Sequence, residues 1–86
     1  MPELSRFFGI CIAMFANEHN PPHFHAIYAG RKAVFNIRTL AMTEGALPPR
    51  ARGLITEWAS LHQQELLNAW DSLRAGRTPG KIAPLE

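Results

Sequence analysis

The chain has 86 residues, of which 47% are hydrophobic and 19% are charged, and its net charge is +2. These values are typical of one small globular domain and exclude a disordered chain or a second core. A single cysteine cannot form an intramolecular disulfide, which excludes a disulfide-stabilised secreted scaffold. The apolar run over 7–16 is too short for a signal sequence or a membrane span, so we predict a cytoplasmic protein.

The nine basic residues are spread along the whole chain. Proteins that bind nucleic acids usually concentrate such residues on one face, so this distribution gives little support to a nucleic-acid partner. The sequence also lacks a glycine-rich phosphate-binding loop and the turn motif that carries a catalytic serine. These observations argue against nucleotide-dependent enzymes and serine hydrolases.

The first half of the chain predicts a small antiparallel sheet. Within residues 6–45, the predicted strands lie at 7–16, 23–29 and 32–38, with a short fourth strand at 40–43. A tight connection at Gly30-Arg31 is expected to close the middle hairpin. Both faces of the first predicted strand are apolar, and a small sheet with one helix covers only one face. We therefore expect a second copy of the chain to cover the other face.

The second half predicts one long helix over 49–75, followed by an extended tail over 76–86. An unbroken helix of this extent would be about 40 Å long, so we expect either a kink near Leu61-His62 or an overhang used in dimerisation. The predicted fold of residues 1–86 is a single α+β domain. It consists of an antiparallel sheet of three to four strands and one long C-terminal helix.

Three of the four histidines lie in the segment His19-Asn-Pro-Pro-His-Phe-His25. Alternate residues of a strand point to the same face, so His23 and His25 are expected to lie together. The two prolines restrict the turn that brings His19 towards them. Imidazole is the commonest protein ligand for metals. The segment therefore predicts a site for a divalent transition metal such as zinc at His19, His23 and His25.

The composition of such a metal site stays open at this point. Three histidines with an open coordination position would resemble a catalytic zinc site, whereas a carboxylate from Glu18 or Glu44 would close the site. Cys11 most simply predicts a small buried side chain, and it would be a fourth ligand if it lay on the histidine face. A purely structural alternative also stands, in which the imidazoles pack beside prolines and aromatic rings and bond to the turn backbone.

Proton-transfer chemistry without a metal is a further alternative. His23 and His25 would then serve as general base and general acid, because both protonation states of imidazole exist near neutral pH. A neighbouring guanidinium would stabilise developing phosphate charge, as in a ribonuclease. The candidates for that role are Arg38 and Arg31.

Several motifs together carry a family resemblance: Ser5-Arg-Phe-Phe-Gly-Ile10, Asn17-x-His-Asn-Pro-Pro-His-Phe-His25, Glu44-Gly-x-Leu-Pro48, Glu57-Trp58 and Lys81-Ile-x-Pro-Leu85. On these residues the chain resembles a widespread small bacterial family of unknown function, over nearly its whole length. Genes of that family often lie beside a gene for another small uncharacterised domain. The chain departs from the family pattern at Leu40-Ala-Met-Thr43, where a glycine turn and an acidic residue are more usual.

The resemblance implies a protein-interaction component of a toxin–antitoxin-like two-gene module. Its partner would be the small protein encoded by the adjacent gene. The two-sided apolar strand and the long amphipathic helix also favour a binding module and a homo-oligomer. Whether the protein is an enzyme stays open from the sequence.

Overall fold

A computed structural model describes residues 3–86 and shows a five-stranded antiparallel sheet followed by two helices. The strands are β1 (Glu3–Phe7), β2 (Ile10–Ala13), β3 (His23–Tyr28), β4 (Arg31–Asn36) and β5 (Met42–Gly45), and the helices are α1 (Pro49–Leu61) and α2 (Gln63–Arg74). Each strand pairs with the next one along the chain. Within residues 3–86, neither helix has the length and apolar character needed to cross a bilayer. The predicted sheet of three to four strands with one helix is therefore wrong in both counts.

The additional strand arises because the apolar run over 7–16 is not one strand. Phe8 and Gly9 have φ angles of +48° and +78°, and they form a two-residue turn that pairs Phe7 with Ile10. Positive φ at both central residues is what a type I′ hairpin turn requires. The turn was hidden in the sequence because phenylalanine is not a typical turn residue. Phe7 and Ile10 consequently lie on the same buried face, and Cys11 and Ala13 on the opposite face of β2 are buried within the single chain as well.

The middle hairpin lies close to its predicted position. Ala29 and Gly30, with φ angles of +50° and +77°, connect β3 to β4, one residue earlier than expected. In this hairpin His23 pairs with Asn36, and His25 pairs with Val34. The pairing places both histidines in the end of the sheet nearest the β2–β3 loop.

The core lies between one face of the sheet and the helices. On that face Phe24 and Phe35 are fully buried, with stacked rings whose centroids are 5.4 Å apart. Trp58 of α1 packs against Phe7 and Phe24 at centroid distances of 5.3 and 6.1 Å. Because strand side chains alternate between faces, burial of Phe24 and Ala26 directs His23 and His25 to the opposite face.

The predicted helix over 49–75 is interrupted at His62, whose φ and ψ angles are −127° and 24°. The interruption lies where the sequence indicated a kink. It places the side-chain amide of Gln63 where its Nε2–H donates to the carbonyls of Ile37 and Arg38, at 2.9 and 3.2 Å. Helix α2 thus begins beside the end of β4. An unbroken helix would continue along the axis of α1 and would lose these bonds.

The segment after α2 returns to the first strand. The backbone N–H of Ile82 donates to the carbonyl of Leu4 at 2.8 Å, and the indole N–H of Trp58 donates to the carbonyl of Ala83 at 2.8 Å. Ile82 is buried, and Leu85 packs on the core. The C-terminal residues therefore contribute to the same core although they form no helix or strand.

Candidate metal centre

The loop between β2 and β3 carries a carboxylate back over the two strand histidines. Ile37 donates its backbone N–H to the carbonyl of Pro22 at 3.0 Å, which ties the end of the loop to β4. The Asn20–Pro21 peptide bond is cis. Along this path Glu18 reaches the face of the sheet from which His23 and His25 project.

One oxygen of Glu18 contacts both imidazoles. Its Oε1 lies 2.6 Å from Nε2 of His25 and 3.0 Å from Nε2 of His23. The three side chains are partly shielded, with 31% of Glu18, 16% of His23 and 20% of His25 exposed. One potential ligand atom from each residue lies within 4.8 Å of the other two. The cluster is thus compact and reachable from solvent.

The contact made by the second ring nitrogen of His23, Nδ1, determines which nitrogen of the neutral ring carries the proton. Its Nδ1 lies 2.9 Å from the carbonyl oxygen of Pro21, which can only accept a hydrogen bond. Nδ1 of His23 therefore carries the proton, and the Nε2 of a neutral ring presents its lone pair to Glu18. A lone pair facing an ionised carboxylate is unfavourable. The cluster is satisfied only when His23 carries a second proton or when a cation lies between these atoms.

Glu18 is held in its ionised form. Burial raises the pKa of Glu18, but the hydrogen bonds and positive charge supplied first by His25 and then by His23 more than offset burial. The net result is a pKa below the usual value for glutamate. This lowered pKa belongs to the form in which both rings donate to Glu18, and in that form Glu18 is a carboxylate that accepts hydrogen bonds and has no proton to donate to His23.

Aromatic rings surround the two histidines. The ring of Phe15 meets His25 edge-on at a centroid distance of 4.6 Å, and Trp70 of α2 lies 5.0 Å from His23. The guanidinium of Arg74 lies over Trp70, 6.0 Å from its ring centre. Packing of this kind restricts ring rotation, so the nitrogen atoms that face Glu18 are positioned before any ligand arrives.

Two cavities open beside the cluster. One, of about 280 Å³, is lined by His19, Pro21, His23, Val34, Asn36, Thr43 and Glu44. The other, of about 230 Å³, is lined by Ala16, Asn17, Glu18, His19 and Arg74. The exposed side chain of His19 borders both. A ligand bound at Glu18 or His23 therefore has room on either side.

The structure brings together some of the sequence-predicted residues. His23 and His25 lie together as predicted from strand alternation, whereas His19 borders the cavities and is not one of the three clustered side chains. Arg38 is exposed in the turn after β4, where its backbone N–H donates to Asn36. Cys11 lies on the same face of the sheet as the histidines, two residues along β2 from the partner of His25, but its buried thiol donates to Glu3 and is not one of the three clustered side chains.

The sequence did not predict the roles of the other residues that form or border the site. Glu18 appeared in the sequence only as an optional fourth ligand, but it is the group that joins the two imidazoles. Trp70 and Arg74 come from α2, and no spacing rule links a helix to a loop so distant in the sequence. Arg31, the alternative to Arg38, pairs with Tyr28 at the far end of the hairpin, about 17 Å along the strand from His23.

Comparison with known proteins gives a family but no function. Residues 9–71 match the family model described as a domain of unknown function (DUF4160). No curated protein and no solved structure matches the chain. The match includes the loop and both strand histidines, and it confirms the resemblance to a small family of unknown function. The family model covers well over half of the residues of this chain, and the chain therefore belongs to the DUF4160 family.

Proposed function

We propose that this protein binds one divalent transition-metal ion through Glu18, His23 and His25. The observation that carries the proposal is the hydrogen bond from Nδ1 of His23 to the carbonyl of Pro21, which leaves Nε2 facing an ionised carboxylate. Metal-binding histidines commonly use their other ring N–H in this way, because the bond orients the ring and selects the tautomer. A cation between Glu18 and His23 would relieve the repulsion between their lone pairs.

The donor set favours zinc or iron(II) over magnesium or calcium. Two imidazole nitrogens and one carboxylate form the protein ligands of several catalytic zinc sites and of non-haem iron(II) sites, whereas magnesium and calcium prefer oxygen. Ligand atoms around a tetrahedral zinc ion lie about 3.3 Å apart. The Glu18 oxygen lies 2.6 and 3.0 Å from the two nitrogens, so metal binding requires it to move outward by a few tenths of an ångström.

Three protein ligands leave one coordination position for water or a substrate. A metal held by these three residues would lower the pKa of a water bound in that position and supply a nucleophile. Glu18 and the two histidines would hold the ion, and the two adjacent cavities would admit a substrate. This arrangement supports a metal-dependent hydrolase as the finer form of the proposal.

The same geometry has a competing explanation, in which His23 is an imidazolium ion paired with Glu18. Under that explanation the cluster stabilises the loop, or the two histidines transfer protons without a metal. The metal site predicts that a metal binds at low concentration and takes the place of the proton between His23 and Glu18. The ion pair predicts no such binding. Binding measurements therefore separate them directly.

The test uses untagged protein freed of metal by a chelator and titrated with cobalt(II), whose visible absorption reports the ligand geometry. We expect one equivalent to bind, and we expect His23→Gln and His25→Gln to weaken binding by more than 100-fold. His62→Gln is the matched control, because His62 contacts a single carboxylate, Glu65, at 2.6 Å. Its affinity should stay within twofold of wild type.

Further outcomes distinguish the remaining alternatives. A large loss of cobalt(II) affinity in His19→Gln would show that His19 is a ligand. The ligand set would then be the three histidines predicted from the sequence, and not Glu18 with His23 and His25. Absence of binding in the wild type would overturn the metal proposal. Cleavage of RNA in the presence of chelator, abolished by His23→Gln, would then support the metal-free ribonuclease alternative.

Partner binding is a second candidate function, and one surface feature favours it. The side chain of Phe8 is 57% exposed at the tip of the β1–β2 hairpin, beside a cavity bordered by Tyr28 and Leu54. We propose that this apolar surface contacts a partner protein of the two-gene module expected from the family resemblance, in the cytoplasm of a bacterium. A homodimer remains the alternative occupant.

Co-expression with the product of the adjacent gene tests the partner proposal. We expect the two proteins to co-elute in size-exclusion chromatography and Phe8→Ser to separate them. Light scattering of the chain alone measures self-association. If the two proteins do not co-elute and the chain alone has a monomeric mass, both the partner complex and the homodimer are overturned.

A further inference from the structure

We propose that the metal-loaded protein binds a phosphate or phosphate-ester group in the cavity between Glu18 and Arg74. The inference rests on the proposed metal site, because one phosphate oxygen would occupy the open coordination position. The remaining oxygens would lie in the cavity of about 230 Å³ that is lined by both Glu18 of the β2–β3 loop and Arg74 of α2. Phosphate esters are therefore the substrate class that the site would accept.

The lining of this cavity supplies hydrogen-bond donors. The guanidinium of Arg74 and the amide of Asn17 both donate, and a neutral His19 ring carries one N–H. Glu18 is the only carboxylate among the lining residues, and in the proposed site the metal neutralises it. Donors on one side and a metal on the other create an environment that selects an anion.

Arg74 is positioned by a rigid neighbour. Its Cζ atom lies 6.0 Å from the ring centre of Trp70, a residue that is only 2% exposed. Trp70 in turn lies 5.0 Å from the ring of His23. The same indole therefore contacts a proposed metal ligand and carries the guanidinium. Arg74 is exposed at the last residue of α2, so its placement rests on the helix and on its contact with Trp70.

Charge favours phosphate over a singly charged anion. A divalent ion held by one carboxylate and two neutral imidazoles keeps one net positive charge, and Arg74 adds a second. A phosphate dianion neutralises both charges, and the planar guanidinium matches two phosphate oxygens at once. The cavity is several times larger than the roughly 30 Å³ that one water occupies in the liquid, so it can hold more than the single water at the metal.

The experiment measures phosphate binding to the cobalt(II)-loaded protein by the change in visible absorption, at constant ionic strength. Inorganic phosphate and phenyl phosphate are titrated separately into the wild type and two variants. Arg74→Gln should weaken phosphate binding by at least 10-fold while cobalt affinity stays within twofold. Arg77→Gln is the matched control, because Arg77 is exposed just beyond α2 and does not line the cavity. It should leave both affinities unchanged.

The outcomes separate the two proposals. If cobalt binds but phosphate leaves the absorption unchanged, the anion site is overturned and the metal site stands. Equal weakening in Arg74→Gln and Arg77→Gln would also overturn it, because the effect would then be general electrostatics. Failure of cobalt to bind overturns both proposals. Tighter binding of phenyl phosphate identifies an ester as the preferred ligand, and tighter binding of inorganic phosphate identifies the free ion.

Discussion

Two glutamates of this protein occupy similar surroundings and have different partners. Glu3 on β1 accepts hydrogen bonds from Nη2 of Arg6 at 2.7 Å and from the thiol of Cys11 at 3.4 Å. These bonds, that of Arg6 first, lower the pKa of Glu3 from 4.5 to about 2. Glu18 instead faces the two imidazoles of His23 and His25.

The difference shows how the partner decides what a carboxylate can do. Arginine stays protonated and offers only donors, so the contact between Glu3 and Arg6 is complete in itself. Imidazole offers a donor or a lone pair. Because His23 already donates through Nδ1 to Pro21, its Nε2 can donate to Glu18 only when the ring carries a second proton. The first cluster is a complete ion pair, whereas the second is one that a bound cation would complete under the proposed function.

The largest effect expected from this comparison is on metal affinity. Replacing Glu18 by glutamine removes the charged ligand, so the Glu18→Gln variant should bind cobalt(II) at least 100-fold more weakly, beyond the loss typical for an outer-shell partner. Glu3→Gln, the same substitution in the other cluster, should change affinity less than twofold. Isothermal titration calorimetry measures both. Equal losses in the two variants would contradict the distinction between the clusters.

The next effect concerns thermal stability in the presence of zinc. A ligand at 100 times its dissociation constant stabilises the folded state by about 2.7 kcal/mol, provided that the unfolded chain does not bind it. For a domain of this size, that corresponds to a rise of about 10–20 °C in the unfolding midpoint. Scanning calorimetry should show the rise in the wild type and in Glu3→Gln. A similar rise in Glu18→Gln would indicate that zinc binds elsewhere.

A smaller effect is expected from the Glu3 cluster at acid pH. Because the pKa of Glu3 is about 2 in the folded chain and 4.5 without its partners, its stabilising contribution is complete above pH 4.5. The contribution is lost as the pH falls from 4.5 towards 2. The difference in unfolding midpoint between the wild type and Glu3→Gln should therefore shrink over that interval. Parallel midpoint curves would show that the Arg6 contact does not stabilise the fold.

The smallest effect is expected at the edge of the same cluster. Nζ of Lys81 lies 3.7 Å from Glu3, and the lysine side chain is 72% exposed. Exposed ion pairs of this kind are screened by solvent and contribute little. Lys81→Ala should shift the unfolding midpoint by less than about 2 °C. A larger shift, measured beside Arg77→Ala as a control, would place Lys81 in the structural contact between the C-terminal segment and β1.

Local patterns predicted the parts of the fold that depend on neighbouring residues. Alternation along a strand placed His23 and His25 on one face, and glycine at position 30 marked the middle hairpin. The first strand was predicted wrongly because an apolar run gives no sign of a turn when its first turn residue is Phe8. The single helix was wrong because apolar spacing continues through His62, although the backbone does not.

The sequence by itself determined the histidine pair, the proline-restricted loop and membership of a family whose function is unknown. Tertiary structure decided that Glu18, and not His19, faces that pair, and that α2 brings Arg74 beside them. The physical reason is the range of the interactions. Strand alternation is set by the backbone of adjacent residues, whereas the path of a loop and the direction of a helix depend on long-range bonds, such as those from Gln63 to Ile37 and Arg38.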